Sequence, residues 1–243
     1  MATQRPLRSK FKCVLYILLA ASCVSASAGM FSVTPVRLYM TQRDRAIAVT
    51  LSNEGDSAIV LQADINTWSQ KPDGTDELVL TDDLILAPPI IKLAPKARQV
   101  VRLALLKPAD ASRQLTYRLI IREVPEIQPS TTIEVPIALA LSLPVFITPP
   151  GAKRLMDCSA NRTDAKTVAV RCSNQGTAYS QIREVSVVRG AQTLAKFEGG
   201  TYVLPGASKT VSLKADQVVS AGEAQLVITF DDGQSLTSSI RLP

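Results

Sequence analysis

Histidine, the side chain that most often moves protons in enzymes, is absent from the 243 residues. Its absence excludes Ser/His/Asp and Cys/His nucleophilic sites and removes the commonest protein ligand of metal ions. No phosphate-binding P-loop, no Gly-x-Gly-x-x-Gly motif and no distinctive pair of carboxylates occurs either. The sequence therefore predicts a protein that is not an enzyme, and it implies no cofactor and no metal site.

Four cysteines are the remaining candidates for redox or covalent chemistry. Cys13 and Cys23 lie in a segment with the features of a signal peptide, which leaves Cys158 and Cys172 in the exported chain. These two are fourteen residues apart, each in a strand-like segment, and this favours one structural disulfide in an oxidising compartment. A redox pair is the alternative, although no Cys-x-x-Cys motif occurs.

Residues 1–28 have the three regions of a secretory signal peptide. Basic residues come first, an apolar run from Cys13 to Val24 follows, and Ala26-Ser27-Ala28 is a small-residue cleavage site. The apolar run is too short to span a bilayer comfortably. Cleavage before Cys23 to give a lipoprotein is an alternative, but the preceding Ala20-Ala21-Ser22 lacks the usual large aliphatic residue. We expect an exported protein with no membrane span after cleavage.

Removal of this segment changes the charge balance. The whole chain has 27 Lys and Arg against 21 Asp and Glu, a net charge of +6. Four of the basic residues and none of the acidic ones lie in residues 1–28, so the mature chain has 23 against 21. A net charge of +2 gives only weak support for nucleic-acid binding, and no nucleic-acid partner is expected.

The longest regular pattern runs from Thr132 to Thr148. Large aliphatic residues occupy every odd position from Ile133 to Ile147, with mostly small or polar residues between them. Strict alternation is typical of a β-strand with one apolar face. Pro136 and Pro144 have the same parity, so both remove N–H donors from one edge, and proline belongs on edge strands. An edge strand with this much apolar surface is an aggregation hazard, which predicts a partner that pairs with it.

The rest of the mature chain has the pattern of short strands joined by turns. About seven strand-like segments precede Pro149-Pro150-Gly151, with turn signals every eight to twelve residues and no helical period, which is typical of an immunoglobulin-like β-sandwich. Six shorter segments follow and predict a second sandwich. We therefore expect an all-β chain: residues 1–28 a signal peptide, 29–149 one immunoglobulin-like domain, and 150–243 a second, stabilised by the disulfide.

Arg37 is the least expected charge in these strands. The segment from Phe31 to Met40 alternates as one strand, in which Arg37 would share a face with Phe31 and Val33. An arginine in a strand is most often a solvated edge charge, so a place among apolar side chains indicates a specific role.

The order and spacing of several short motifs resemble one family, the periplasmic chaperones of the chaperone–usher pilus pathway. The likeness covers essentially the whole mature chain and is strongest before residue 150. The motifs that carry it are Val36-Arg37-Leu38, Ala48-Val49-Thr50-Leu51-Ser52-Asn53, Ala87-Pro88-Pro89-Ile90, Leu93-Ala94-Pro95-Lys96-Ala97, Val101-Arg102-Leu103, Tyr117-Arg118-Leu119, Arg122-Glu123-Val124-Pro125 and Ile137-Ala138-Leu139.

The resemblance implies two immunoglobulin-like domains in an L-shaped arrangement, located in the periplasm. It also implies that the long edge strand is donated to a pilus subunit whose own sandwich lacks its last strand, before the subunit passes to an outer-membrane usher. Val135, Ile137 and Leu139 match the donated residues, with Leu141 as a further candidate, while Leu143 to Ile147 lead back into the sandwich. The alternative is that all of these aliphatic side chains face their own core.

A site for the subunit's terminal carboxylate also follows from the resemblance. In the family, an arginine of the first strand and a lysine of the long strand hold this carboxylate, and charge-assisted hydrogen bonds there fix the register of the incoming strand. The arginine corresponds to Arg37. The lysine position falls on Pro144, so a second cation has to come from elsewhere, with Arg98 and Arg102 the nearest candidates.

Other positions depart from the family pattern or match it at the domain junction. Gln114 and Ile120 occupy positions usually held by glutamate and asparagine, and together with the missing lysine they indicate a divergent (archaic or alternative) branch. Arg102, Glu123 and an aspartate of Asp231-Asp232 match a family charge cluster between the domains. We expect that cluster to hold the angle between the domains, because an unpaired charge there would be costly.

Two other classes of protein remain as alternatives. A two-domain pilus structural subunit or adhesin would carry a self-complementing N-terminal extension, and only a few residues precede Phe31 in the expected mature chain. An enzyme on an immunoglobulin-like scaffold is disfavoured by the missing histidines. The expected partners are pilus subunits and an usher, and self-association of the free protein is a further way to cover its edge.

Overall fold

The structure, a computed structural model, describes residues 31–125 and 138–243. Within these two ranges the chain forms seventeen β-strands and no helix, and so no helix that could cross a membrane. The all-β prediction is confirmed. The expected signal peptide, and Val135 and Ile137 of the expected donor strand, lie outside the described residues.

Residues 31–147 contain ten of these strands, three more than the sequence pattern suggested. They are β1 (Phe31–Thr34), β2 (Leu38–Met40), β3 (Ala46–Asn53), β4 (Ile59–Gln70), β5 (Asp76–Leu80), β6 (Leu84–Ala87), β7 (Ile90–Leu93), β8 (Arg98–Leu105), β9 (Leu115–Glu123) and β10 (Ala140–Ile147). One sheet has the strand order β1-β3-β8-β6. The other has the order β2-β10-β9-β4-β5, with β7 also paired to β4.

The two sheets enclose one apolar core because every second side chain of their strands points inward. Val49 and Leu51 of β3 are fully buried on one side, and Leu119 and Ile121 of β9 on the other. In β10 the odd-numbered residues from Leu143 onward belong to the same core. The alternation in the sequence therefore marks the inner face of the sandwich correctly along this part of β10.

The first strand differs from its prediction. Phe31 to Met40 is not one strand: β1 pairs with β3 in one sheet, and β2 pairs with β10 in the other. Residues 35–37 connect the two sheets, and Pro35, which has no N–H for a ladder, begins this connection. Arg37 consequently lies on the connection just before β2 rather than on a face shared with Phe31.

Residues 156–242 form the second sandwich. Its strands are β11 (Met156–Asp164), β12 (Thr167–Asn174), β13 (Ser180–Arg189), β14 (Gln192–Val203), β15 (Ser208–Lys214), β16 (Gly222–Phe230) and β17 (Ser235–Leu242). All seven are linked in the order β11-β12-β15-β14-β13-β16-β17. A single residue pair, Lys196 with Lys214, joins β14 to β15, so the sheet divides there into two layers around a separate core. The prediction of two β-sandwiches is confirmed, while the L-shaped arrangement and the limits of the domains stay predictions.

The predicted disulfide is present between Cys158 and Cys172. The two cysteines lie directly opposite each other on the antiparallel strands β11 and β12, with a Cα–Cα distance of 4.1 Å. The second sandwich has seven strands, one more than the six segments counted from the sequence. The disulfide ties this outermost strand to β12, whose Val168 and Val170 are fully buried in the second core.

Candidate functional site

The edge of β10 is only partly covered by the chain's own strands. On one side β9 pairs with β10 along its whole length, from Ala140 to Ile147. On the other side β2 pairs in parallel with the last three residues, Val145 to Ile147. No other described strand pairs with residues 140–144 on that side. We call the uncovered side of residues 140–144 the open edge.

Backbone hydrogen bonds show which groups the open edge presents. The Glu123 N–H donates to the Leu139 carbonyl at 2.9 Å, and the Thr148 N–H donates to the Met40 carbonyl at 3.0 Å. Since backbone groups alternate sides along a strand, odd-numbered residues of β10 bond to β9 and even-numbered residues point to the open edge. Pro144 therefore removes a donor from the open edge, next to the first residue covered by β2, and leaves the ladder with β9 intact.

Two of the predicted donor residues can be placed. Leu139, just before β10, is 39% exposed. Leu141 is partly buried and packs against the core of its own sandwich. Residues two apart share a face, so aliphatic side chains on this face lose contact with the core between Leu141 and Leu139.

Arg37 lies at the end of the open edge, because it directly precedes β2. Its Nη1 donates to Oδ2 of Asp231 at 2.7 Å, and Asp231 lies in the turn between β16 and β17 of the second sandwich. Burial opposes the charged form of Arg37, but contacts with Tyr39 and Asp231 outweigh it and raise the pKa of the guanidinium above its usual range. Arg37 is thus a charged group shared between the two sandwiches.

Arg118 is a second guanidinium at the same junction. It lies on β9 directly opposite Pro144 of β10, and its Cζ is 3.7 Å from the centre of the Trp68 ring. Its Nη1 is 3.5 Å from the carbonyl oxygen of Ser142, one of the groups on the open edge. Burial lowers the pKa of Arg118, because the desolvated cation is less stable than in water. Among the described residues Arg118 forms no ion pair.

Aromatic side chains fill the space between the sandwiches. Phe146 of β10 stacks on Tyr179 with ring centroids 3.9 Å apart, and Trp68 meets Tyr202 edge-on at 5.2 Å. The hydroxyls of Tyr39 and Tyr179 are 2.8 Å apart and hydrogen-bond across the junction. This cluster combines apolar burial with offset and edge-to-face ring contacts, which stabilise the contact between the two sandwiches.

Gln114 is a further contact across the junction. Its side-chain oxygen accepts a hydrogen bond from the Tyr179 N–H at 2.8 Å, and its amide nitrogen donates to the Thr148 hydroxyl at 2.7 Å. Gln114 is buried. The position that departs from the family's usual glutamate therefore holds a neutral side chain with both its oxygen and its nitrogen hydrogen-bonded.

The candidates for a second cation, Arg98 and Arg102, are not near the open edge. Both lie on β8, in the other sheet of the first sandwich, and both are exposed. Their neighbours Val101 and Leu103 point into the core, so Arg102 points outward from the opposite side of the sandwich. The pairing of β8 with β3 and β6 separates these residues from β10.

The predicted charge cluster of Arg102, Glu123, Asp231 and Asp232 does not form as one network in the described residues. Asp231 pairs with Arg37, and Asp232 pairs with Arg154 at 2.7 Å within the second sandwich. Glu123 lies at the end of β9 and has no described ion pair. Two ion pairs therefore join the sandwiches in the described residues: Arg37 with Asp231, and Asp76 with Lys209 at 3.5 Å. Arg37 and Asp231 had been assigned to two separate roles from the sequence.

Arg118 and the aromatic cluster are site residues that were not predicted from the sequence. Arg118 is the only charged residue between Leu115 and Ile121, and it stands at an outward position of the alternating pattern of β9. Phe146 is the one large residue among the even positions from 134 to 146. Both signals were visible in the sequence, but the strand pairing was needed to bring these residues together beside Pro144.

The fold and the site together define a class of protein: two β-sandwiches, joined by ionic and aromatic contacts, with one uncovered strand edge beside the junction. A chain in the CsuC–CsuE chaperone–tip adhesion subunit pre-assembly complex, from the archaic chaperone–usher Csu pili of Acinetobacter baumannii, is similar with a TM-score of 0.65 and 18% identity over 88% of this chain and 99% of that chain. The CupB2 chaperone of Pseudomonas aeruginosa is similar with a TM-score of 0.56 and 18% identity over 87% and 100%. A chain in the complex of SafA pilin with the SafB chaperone, from Salmonella enterica, has a TM-score of 0.55 and 15% identity over 89% and 97%. At these identities the similarity shows the fold.

The family follows from the sequence match. Residues 30–153 match the family of pili and flagellar-assembly chaperones, through its PapD N-terminal domain, and the chain belongs to this family. No curated protein sequence matches the chain. The resemblance to pilus chaperones is thereby confirmed, and membership in a family of chaperones agrees with the prediction that the chain is not an enzyme.

Proposed function

We propose that this protein is a periplasmic chaperone that binds exported pilus subunits by lending them a strand and then delivers them to an outer-membrane usher. The observation that carries the proposal is the open edge of β10, which ends beside two guanidinium groups and continues backward into the exposed Leu139. Relatives in solved structures are held in complexes with a tip adhesion subunit and with a pilin, which supports the same kind of partner here.

Strand donation meets a physical need on both sides of the complex. A subunit that lacks a strand exposes an apolar groove and unpaired backbone groups. Such an exposed edge promotes aggregation with other chains. The open edge supplies backbone donors and acceptors, and the aliphatic residues before β10 supply side chains for the groove. The chaperone's own edge is covered at the same time, so neither partner exposes an unpaired strand edge that could aggregate.

The position of β2 sets how an incoming strand lies. β2 runs parallel to β10 and begins at Leu38, so a strand on the open edge must end before Leu38. A strand that also runs parallel to β10 places its carboxyl end beside Arg37, which directly precedes β2. The proposal therefore assigns Arg37 to the subunit's terminal carboxylate, while Asp231 holds the guanidinium in place through Nη1.

Capture from the periplasm tests strand donation. The tagged chain is exported in its native strain, and we expect a one-to-one complex with a small exported β-sandwich protein that is unstable alone. Ile137→Asp and Leu139→Asp should each abolish this complex, because a charge cannot enter the apolar groove without a large desolvation penalty. Ala138→Asp is the matched control, since its side chain points to the other face of an extended chain. Equal capture by all four proteins would rule out strand donation.

A second comparison tests the role of Arg37. Arg37→Ala alone leaves the Asp231 carboxylate without its partner, so it is combined with Asp231→Asn to avoid an unpaired charge. We expect the double variant to fold and to lose subunit capture, whereas Asp231→Asn alone keeps it. Undiminished capture by the double variant would exclude the carboxylate role. Transfer to the usher is tested separately, by expressing the chaperone in a strain from which its own copy has been deleted. Assembled pili should then appear on the cells.

A further inference from the structure

The inference concerns Gln70, the last residue of β4, and it rests on the proposed function. Its Nε2 donates to the Tyr202 carbonyl at 2.9 Å, and its Oε1 accepts from the Leu204 N–H at 3.0 Å. The same Nε2 donates to Oδ1 of Asp76, on β5, at 2.9 Å. One neutral side chain therefore links the β4–β5 hairpin of the first sandwich to the backbone of the second.

The end of β14 has backbone groups that need this link. β15 pairs with β14 only through Lys196 and Lys214, so no described strand continues beside Tyr202 on the side of β15. Leu204 directly follows β14 and is 3% exposed, and a buried N–H without an acceptor is unfavourable. The Gln70 amide supplies that acceptor and bonds to two residues of one strand end, as a neighbouring strand would.

Two further contacts hold the hairpin against β15. Asp76 pairs with Lys209 at 3.5 Å. Gly74, in the hairpin turn, is buried and has a φ of 84°, and a Cβ atom placed on it would lie 3.0 Å from the Ser208 carbonyl oxygen. The turn thus packs directly on the backbone at the start of β15, where a larger residue would not fit.

The hairpin lies at the opposite edge of its sheet from the contact between Arg37 and Asp231. In the strand order β2-β10-β9-β4-β5, Arg37 precedes the first strand and Asp76 lies on the last. Four strand spacings of about 4.8 Å separate these edges by roughly 19 Å. One contact alone would leave an axis about which the sandwiches could rock, whereas contacts at both edges oppose that motion.

We propose that Gln70 is a positioning residue for subunit capture, which acts by fixing the cleft between the open edge and the second sandwich. The backbone it holds carries two side chains of the junction: the Tyr202 ring meets Trp68 edge-on at 5.2 Å, and Leu204 packs with Trp68 and Phe146. Phe146 belongs to β10, the strand with the open edge. A shift of the end of β14 therefore changes the space in which a guest strand lies.

The competing interpretation is that Gln70 only stabilises its own hairpin through Asp76. Under that interpretation, changing Gln70 would alter the hairpin and leave the orientation of the sandwiches and the affinity for a subunit unchanged. Under the proposal, each sandwich keeps its fold while their relative orientation and the affinity change together.

The experiment compares Gln70→Glu with Gln62→Glu. At neutral pH the first variant keeps an acceptor for Leu204 but places a carboxylate oxygen against the Tyr202 carbonyl and the Asp76 carboxylate. Gln62 is the matched control, because it lies on the same strand and face, is exposed, and donates to Oδ1 of Asp64 at 3.3 Å within the first sandwich. Residual dipolar couplings report the orientation of the sandwiches, and titration with the subunit captured by the wild type reports affinity.

We expect the wild type and Gln62→Glu to show one common alignment for both sandwiches. Gln70→Glu should show two different alignments and bind the subunit about tenfold more weakly at neutral pH, because the binding-competent arrangement is less populated. If Gln70→Glu does not fold, Gln70→Ala with Gln62→Ala as its control makes the same comparison without a new charge.

Protonation should reverse the effect of Gln70→Glu. A protonated carboxyl group has one O–H donor for the Tyr202 carbonyl and one acceptor for Leu204, as the amide does. Burial and the Asp76 carboxylate raise the pKa of the new group above the ordinary glutamate value of about 4.3, while Lys209 and Arg118 keep their protons in this range. The affinity of Gln70→Glu relative to the wild type should therefore recover as the pH falls.

A common alignment in Gln70→Glu at neutral pH would overturn the proposal, and so would an altered alignment with unchanged affinity. A loss of affinity that does not recover at low pH would also contradict it. If the wild type captures no subunit, the proposed function fails, and the couplings of the free chain still decide whether Gln70 holds the two sandwiches in place.

Discussion

The ion pair between Arg37 and Asp231 is the shorter of the two described ion pairs that join the sandwiches, and its energy can be predicted from its geometry. Nη1 and Oδ2 are 2.7 Å apart, and the side chains are 28% and 15% exposed. Two unit charges about 4 Å apart attract by roughly 4 kcal/mol at an effective dielectric constant of about 20. Desolvation of both groups opposes this attraction, and the net stabilisation by a hydrogen bond to a charged group is about 1.5–3 kcal/mol. We expect a coupling energy of about 2 kcal/mol.

The assay is a thermodynamic cycle of Arg37→Gln, Asp231→Asn and the double variant in urea. Trp68 lies in the aromatic cluster between the sandwiches, so its fluorescence follows the loss of the junction. Each single variant should lose most of the pair's contribution, while the double variant should be no less stable than the worse single one. The coupling should persist at high salt better than that of an exposed pair, since partly buried charges are screened less.

Lys196 and Glu198 provide the control pair for this cycle. Their charged atoms are 2.6 Å apart, as close as those of Arg37 and Asp231, but the pair lies exposed on β14. Exposed pairs of this kind contribute little, so the same cycle at these positions should give no measurable coupling. A coupling between Arg37 and Asp231 below about 0.5 kcal/mol, or one no larger than in the control, would refute the argument that burial at the junction makes the first pair matter.

Three further predictions concern stability. Replacing Cys158 and Cys172 by alanine should lower the unfolding free energy of the second sandwich by about 3 kcal/mol, as expected for a loop of about 15 residues, and calorimetry that finds no change would contradict it. Phe146→Ala should lower the unfolding free energy by about 3–5 kcal/mol and separate the unfolding transitions of the two sandwiches. A single unshifted transition would contradict the role of the aromatic cluster. Burial of Asp83 opposes its charged form, but contacts including the ion pair with Lys107 lower its pKa overall. The charged form of Asp83 therefore stabilises the fold above the ordinary aspartate pKa of about 3.9, and this stabilisation is lost as the pH falls. The difference in unfolding free energy between wild type and Asp83→Asn should disappear below about pH 4. A difference that does not depend on pH would contradict this prediction.

Strand alternation made the fold predictable from the sequence. The odd positions of β10 from Leu143 onward point into the core as the pattern indicates, and Cys158 and Cys172 pair as their strand-like surroundings favoured. Both features follow from the alternation of residue types along a single strand, which repeats every two residues and can be read from neighbouring positions in the sequence. The same reasoning failed at Phe31 to Met40, because a strand that changes sheets keeps its alternation while its two halves join different partners.

The site was less predictable because it depends on which strands lie side by side. Arg37 was singled out from its own segment, but its pairing with Asp231 joins residues 194 apart. Pro144 showed that a cation was missing, and only the register of β9 against β10 identifies Arg118 as the residue across from it. Alternation says which face a side chain is on, but it does not specify the neighbouring strand or the register. For the same reason the sequence did not show that Arg98 and Arg102 lie on β8, in the sheet that does not contain β10.

The short strand β2 has a consequence for which strands the open edge can hold. Three residues of the chain's own backbone occupy the last part of that edge, so a guest strand meets an end stop and can extend in one direction only. Distance along the guest is then counted from its carboxyl end, in steps of about 3.3 Å per residue. An added or missing residue moves every apolar side chain of the guest to the wrong face. Under the proposed function, β2 therefore fixes the register of a guest strand relative to its own carboxyl end.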